Sequence, residues 1–96
     1  MVVGIARMEF YLPGNGSLKG KRQRVKSLIH RLEARFKKLS VAEVGDQDLW
    51  QRAVIGVSTV ASDQKVADRY LNQVLSFVED LDGMELISAE IEFLSF

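Results

Sequence analysis

Between Ser17 and Leu39 the chain reads SLKGKRQRVKSLIHRLEARFKKL, and this stretch holds most of the residues able to do chemistry with a ligand. Nine of the thirteen basic residues lie here: Lys19, Lys21, Arg22, Arg24, Lys26, Arg31, Arg35, Lys37 and Lys38. Glu33 is the one acid among them, so the stretch carries +8, while the remaining four cations and twelve acids carry −8. A protein of zero formal net charge is therefore strongly polarised. The chemistry this supports is charge neutralisation, and its natural object is a polyanion. Like charges three and four residues apart repel by a few tenths of a kcal/mol per pair, so fold stability does not ask for the pattern. A solvated helix face is the plain alternative.

Other residue constellations are weaker. His30 is the sole histidine, falls on a solvent-facing wheel position between basic neighbours, and has no paired nucleophile or carboxylate. Asp46, Asp48 and Glu43 are acids near a turn, a common composition that does not by itself specify a cation. Pro13-Gly14-Asn15-Gly16 runs into a helix N-terminus carrying Lys19, Lys21 and Arg22, the generic ingredients of a phosphate site. It matches neither the P-loop spacing nor the dinucleotide fingerprint, and a plain strand-to-helix turn is the competing reading. Trp50, Gln51 and Arg52 place an indole and a guanidinium at a strand entrance, suited to stacking a base or pinning a partner. Trp50 equally suits the end of a core. We assign no catalytic or metal-ligating residue and expect no cofactor.

The elements that must position these residues follow from periodicity. Leu18, Val25, Leu28, Ile29, Leu32, Phe36 and Leu39 recur at helical offsets, which predicts a helix capped by Ser17 and ending about Lys38. At 100° per residue Arg24, Arg31, Arg35 and Lys38 form one flank of its apolar stripe, and Lys19, Arg22, Lys26 and Lys37 the other. Lys21 falls near the apolar arc, where it must snorkel or overhang its support. Val2 to Leu12 alternates as a strand, Leu39 to Gly45 is a second, and Trp50 to Ala61 a third whose Val-Ile-Gly-Val centre suggests an interior position. A second helix runs from Ser62 or Asp63 to about Leu81, burying Val66, Tyr70, Val74, Phe77, Val78 and Leu81. Met84 to Phe96 is the last strand, with Ile87, Ala89, Ile91 and Phe93 inward.

The order is β-α-β-β-α-β. It predicts a single α+β domain over residues 1–96, a ferredoxin-like fold with an antiparallel four-stranded sheet and two helices on one face. The other face, with Arg7, Tyr11, Val54 and Ser58, is half polar and invites a homodimer or the binding of something flat. With 47% hydrophobic and 27% charged residues the composition is that of a soluble globular protein. No cysteine, no long apolar run and no leader-like N-terminus point to the cytoplasm and away from a membrane.

At SLKGKR, and again at VAEVGDQDLWQRAVIGV, the chain resembles the YlxP-like family of small bacterial proteins, a family of unknown function. The resemblance covers nearly the whole chain. It implies a ferredoxin-like fold and a bacterial cytoplasmic protein. Its genes commonly lie beside those for translation initiation and ribosome-binding factors, which makes structured RNA or the ribosome the expected partner. The basic helix is the expected contact, because the third strand lacks the aromatic pattern of an RNA-recognition motif. Interaction with other proteins and a phosphate-binding enzyme or sensor are the alternatives. One position departs from the family: where it has Ser-Leu-Lys-Glu-Lys-Arg, this chain has Gly20. The missing Glu would complete a capping box with Ser17. Gly20→Glu is therefore expected to stabilise by roughly half to one kcal/mol.

Overall fold

A computed structural model describes residues 1–96. The elements are β1 (Val2–Tyr11), α1 (Leu18–Arg35), β2 (Ser40–Gly45), β3 (Arg52–Ala61), α2 (Gln64–Glu79) and β4 (Glu85–Ser95). All neighbouring strands are antiparallel, in the order β2-β3-β1-β4. The fold is the expected ferredoxin-like α+β arrangement with both helices on one face. As its composition suggests, β3 is interior, and three successive residues, Ala53, Val54 and Ile55, are buried on alternating faces.

The core lies between the sheet and the helices. From β1 come Ala6, Met8 and Phe10, from α1 Val25, Leu28 and Leu32, and from α2 Leu71, Val74 and Val78. Close approach of α2 to β1 explains Gly4: a Cβ there would lie 2.9 Å from Leu71 Cδ1 and 3.3 Å from the Ala67 side chain. The buried stripe of α2 is accordingly centred on Ala67 and Leu71, and Val66, expected inward, is 44% exposed.

Three boundaries differ from expectation. Helix α1 stops at Arg35. Phe36 still donates its N–H to the Leu32 carbonyl at 2.8 Å but is itself extended, at φ −118°. Its ring packs edge-on against Tyr70 and Phe77, with centroids 5.7 and 5.8 Å away. Those two contacts direct the chain into the core, and Lys37 and Lys38 occupy a turn. Residues Trp50 and Gln51 precede β3. In β4 a bulge follows the Glu9/Ser88 pair, so Phe10 faces Leu86. Leu86 therefore points inward, and the expected inward Ile87 is 44% exposed.

The start of α1 is fixed differently from the capping box. Ser17 Oγ accepts from the Gly20 N–H at 3.0 Å, and the Lys21 N–H donates to the Ser17 carbonyl at 3.1 Å. Asn15 is buried, and its side-chain amide donates to the Ser17 and Trp50 carbonyls at 2.9 and 2.5 Å. A Cβ on Gly20 would lie 2.5 Å from Asn15 Oδ1 and 3.1 Å from Ser17 Oγ. The room that a side chain at position 20 needs is taken by Asn15. The expected stabilisation by Gly20→Glu is thus overturned: moving a buried, hydrogen-bonded amide costs about 1–3 kcal/mol, against the ~1 kcal/mol that leaving glycine returns. We expect Gly20→Ala and Gly20→Glu to destabilise by about 1 kcal/mol. The penalty of Gly20→Ala should vanish or reverse in an Asn15→Ala background. Urea denaturation of the four members of that double-mutant cycle checks the coupling.

Candidate nucleic-acid interface

Burial divides the cations of the basic stretch into spent and available. Lys21 is spent. Its side chain is 1% exposed, and its ammonium lies 3.2 Å from Glu43 Oε2 and donates to the Asp46 carbonyl. The ion pair is close but not aligned as a hydrogen bond, leaving that carboxylate oxygen without a donor. Lys21 neither snorkels nor overhangs; it is removed from the surface set because it ties α1 to the end of β2. Arg24 is half-buried and also engaged, donating to the Gly83 carbonyl at 3.1 Å and to that of Pro13 at 3.5 Å. Lys19, Arg22, Lys26, Arg31, Arg35, Lys37 and Lys38 are exposed.

Two of these are held in place. The guanidinium carbons of Arg31 and Arg35 lie 5.4 and 5.5 Å from the centroid of the Phe77 ring on α2. Arg35 is also 5.9 Å from the ring of Phe36. The aromatic cluster that ends the helix thus also orients two of its cations. Cation–π contacts of about 0.5–1 kcal/mol each offset the few tenths of a kcal/mol of repulsion between like charges one turn apart. Beyond the helix end, Lys38 is no longer a flank residue. Its backbone is clamped: its N–H donates to the Tyr70 hydroxyl at 3.0 Å, and its carbonyl accepts from Thr59 Oγ1 at 2.9 Å.

These cations surround the seam between the helices. A hollow of about 650 Å³ is lined by Arg31, Arg35, Phe77 and Arg69, with Asp80 as its one carboxylate. A second, of about 830 Å³, is lined by Arg35, Lys37, Lys38, Arg69 and Tyr70 and contains no carboxylate. Arg35, Arg69 and Gln73 line both, so the two adjoin as a trench divided by those side chains. Arg69 is the functional candidate that the sequence did not reveal, because its own segment is not basic. The protein's ion pairs are Arg7–Glu9, Arg7–Glu90 and Lys21–Glu43. None of the five trench cations is matched by a carboxylate.

The remaining candidates are not assembled into a site. In the Gly14–Arg22 loop Asn15 and Ser17 use the space and donors at the helix start, and Lys21 turns away toward Glu43. Trp50 does not close the core: it is 54% exposed, and its carbonyl accepts from Asn15. Gln51 is occupied locally, its amide donating to the Asn15 carbonyl at 3.3 Å. Arg52 is exposed at the first position of β3, opposite Tyr11. His30 is exposed, as its wheel position implies.

The sequence matches, over residues 3–91, the family described as a protein of unknown function, DUF503. The chain belongs to that family. It is 33% identical over 84 residues to the uncharacterised protein YlxP of Bacillus subtilis (strain 168), covering 88% of this chain and 90% of that one. Among solved structures it is similar to a de novo designed protein, Foldit4, with a TM-score of 0.55 and 10% identity over 100% of this chain and 99% of the other. That likeness concerns the fold alone. No helix is long and apolar enough to cross a membrane.

For this DUF503 member the division of cations gives a direct test. Removing one partner of a buried ion pair costs about 3–5 kcal/mol when the other stays desolvated. Glu43 is one-fifth exposed, so water softens the loss. We expect Lys21→Ala to destabilise by roughly 2–3 kcal/mol, whereas Lys19→Ala stays within about 0.5 kcal/mol of the parent. Guanidinium denaturation of both variants checks this.

Proposed function

We propose that the protein binds RNA without catalysing a reaction on it, contacting phosphates through the trench between α1 and α2. The observation that carries this reading is the trench itself, in which Arg31, Arg35, Lys37, Lys38 and Arg69 converge with no carboxylate partner. Pre-oriented guanidinium groups suit phosphate oxygens, because each offers a planar fork of donors. The family resemblance makes ribosomal RNA or the ribosome the class of partner to try first, within the cytoplasm. Lys19 and Arg22 extend the positive surface along α1, and exposed Trp50 is a secondary contact for a base or a partner.

Binding of this kind is governed by counterion release, with log K falling against log salt by about 0.7 per phosphate neutralised on a single strand and 0.9 on a duplex. Five trench cations, three or four of them engaged at once, give a slope of roughly −2 to −4. Lys37→Glu/Lys38→Glu should flatten the slope by about two contacts' worth and weaken unrelated RNAs alike, since phosphates carry no sequence information. Arg31→Glu/Arg35→Glu should do the same, at a stability cost of about 1–2 kcal/mol for the lost contacts with Phe77. Trp50→Ala should leave the slope unchanged, and lower affinity only if its indole stacks on a base. Fluorescence anisotropy across a salt titration, with circular dichroism as the folding control, measures all four proteins. Folded charge reversals that bind RNA like the parent would overturn the reading.

A further inference from the structure

The sheet face turned away from the helices carries Val3, Ile5, Arg7, Glu9 and Tyr11 from β1, and no element covers it. An open trough of about 490 Å³ runs over it, with Ile5, Ala42, Val44 and Gly56 among its lining and Arg7 and Glu90 at its side. Val44 packs directly over Gly56, where a Cβ would meet Val44 Cγ1 at 3.1 Å. Toward one end, Val3 is flanked across the sheet by Val60 and Leu94, which are 59% and 58% exposed. Val44, Val60 and Leu94 thus leave apolar area uncovered among the polar residues of this face, as an interface does.

We infer that its occupant is a second copy of this chain, packed face to face about a two-fold axis. Charge excludes the polyanion of the trench from this face, because its β4 edge presents Glu85, Glu90 and Glu92. The one cation in the middle of the sheet is already neutralised. Arg7 lies 2.7 Å from Glu9 and 3.8 Å from Glu90, so covering it strands no unpaired cation, and Glu85, Glu90 and Glu92 stand on the edge strand, at the rim of such an interface, which stays wet. With the two-fold axis along the strands, the acidic β4 edge of each copy lies over the β2 edge of the other, whose open-face residues Ser40, Ala42 and Val44 carry no charge. Area is sufficient when the whole face is used. Strands of ten, six, ten and eleven residues, about 4.8 Å apart and rising about 3.3 Å per residue, give a footprint of about 600 Å². The lower bound for a specific interface is also about 600 Å² per partner. The helices lie on the far side, so both trenches of the dimer remain open.

The test is the mass of the protein by light scattering at about 100 µM, far above a micromolar Kd, at low and at high salt, with the sheet variants followed against the parent down a dilution to about 1 µM, where a tenfold loss of affinity shows. The expected result is twice the 10.8 kDa of the chain in both conditions. Val44→Glu and Ile5→Glu should each weaken the dimer at least about tenfold, since burying an unpaired carboxylate costs well over 1.4 kcal/mol. Val66→Glu, an exposed change on α2, should leave it intact. Val44 is 55% exposed, so its variant folds and decides the matter alone if Ile5→Glu unfolds. A parent of single-chain mass would overturn the inference and leave the face to a different partner. A dimer that both sheet variants preserve, or one that high salt dissolves, would also overturn it.

Discussion

The packing of Phe36 against Tyr70 and Phe77 decides where the basic helix ends and what its cations face. A helix continued through Lys38 would project its last cations into solvent along one flank. With Phe36 extended and its ring in the core, the chain turns at Lys37 and Lys38, and α2 is held beside the last turns of α1. Arg31 and Arg35 then lie over Phe77 instead of ranging free. Arg69, from a different element, joins them across the seam. One apolar contact thus converts a charged helix into a concave cationic site, a step from packing to function.

The opposite end of α1 shows the same kind of residue used for the fold. Lys21 spends its charge inside, where a polar group without partners would be costly, and is tolerated because Glu43 and the Asp46 carbonyl meet its ammonium. Asn15 organises the loop before the helix by satisfying two carbonyls at once. Its presence explains Gly20, since the close approach of the amide leaves no room for a Cβ. A departure from the family pattern that looks like a weakened cap is therefore one half of a matched pair.

The order of elements and both helical stripes were legible because each rests on a repeated apolar period, and repetition averages out single exceptions. What was hidden depends on single contacts between elements distant in sequence. The helical period continues smoothly through Phe36 to Leu39, so nothing local marks the stop. In Glu85-Leu86-Ile87-Ser88 two adjacent apolar residues fit either parity, and the bulge selects Leu86. Lys21 sat near the apolar arc, a sign of conflict, but its resolution needed Glu43, twenty-two residues on. Of the trench, Arg31, Arg35 and Lys38 were visible as basic residues sharing a flank. Arg69 was not, because only tertiary packing brings it to them.

The two uncovered surfaces divide the protein's unused capacity by type. On the helix side the available groups are cations, which attract at long range and lose strength in salt. On the sheet side they are apolar residues and a pre-paired arginine bordered by the acids of β4, and the apolar part acts at contact and is indifferent to salt. An antiparallel sheet with both helices on one face enforces this separation, since strand alternation sends one set of side chains to each side. The basic stretch lies in a helix and is therefore confined to the covered side. Glu85, Glu90 and Glu92 of β4 face the open side, while Asp63, Asp68, Glu79, Asp80 and Asp82 stay with α2 on the helix side. A polyanion drawn to the trench would be repelled by the acids of the open face, and a partner on the open face would meet none of the trench residues on α1. Each surface is free to be occupied independently of the other.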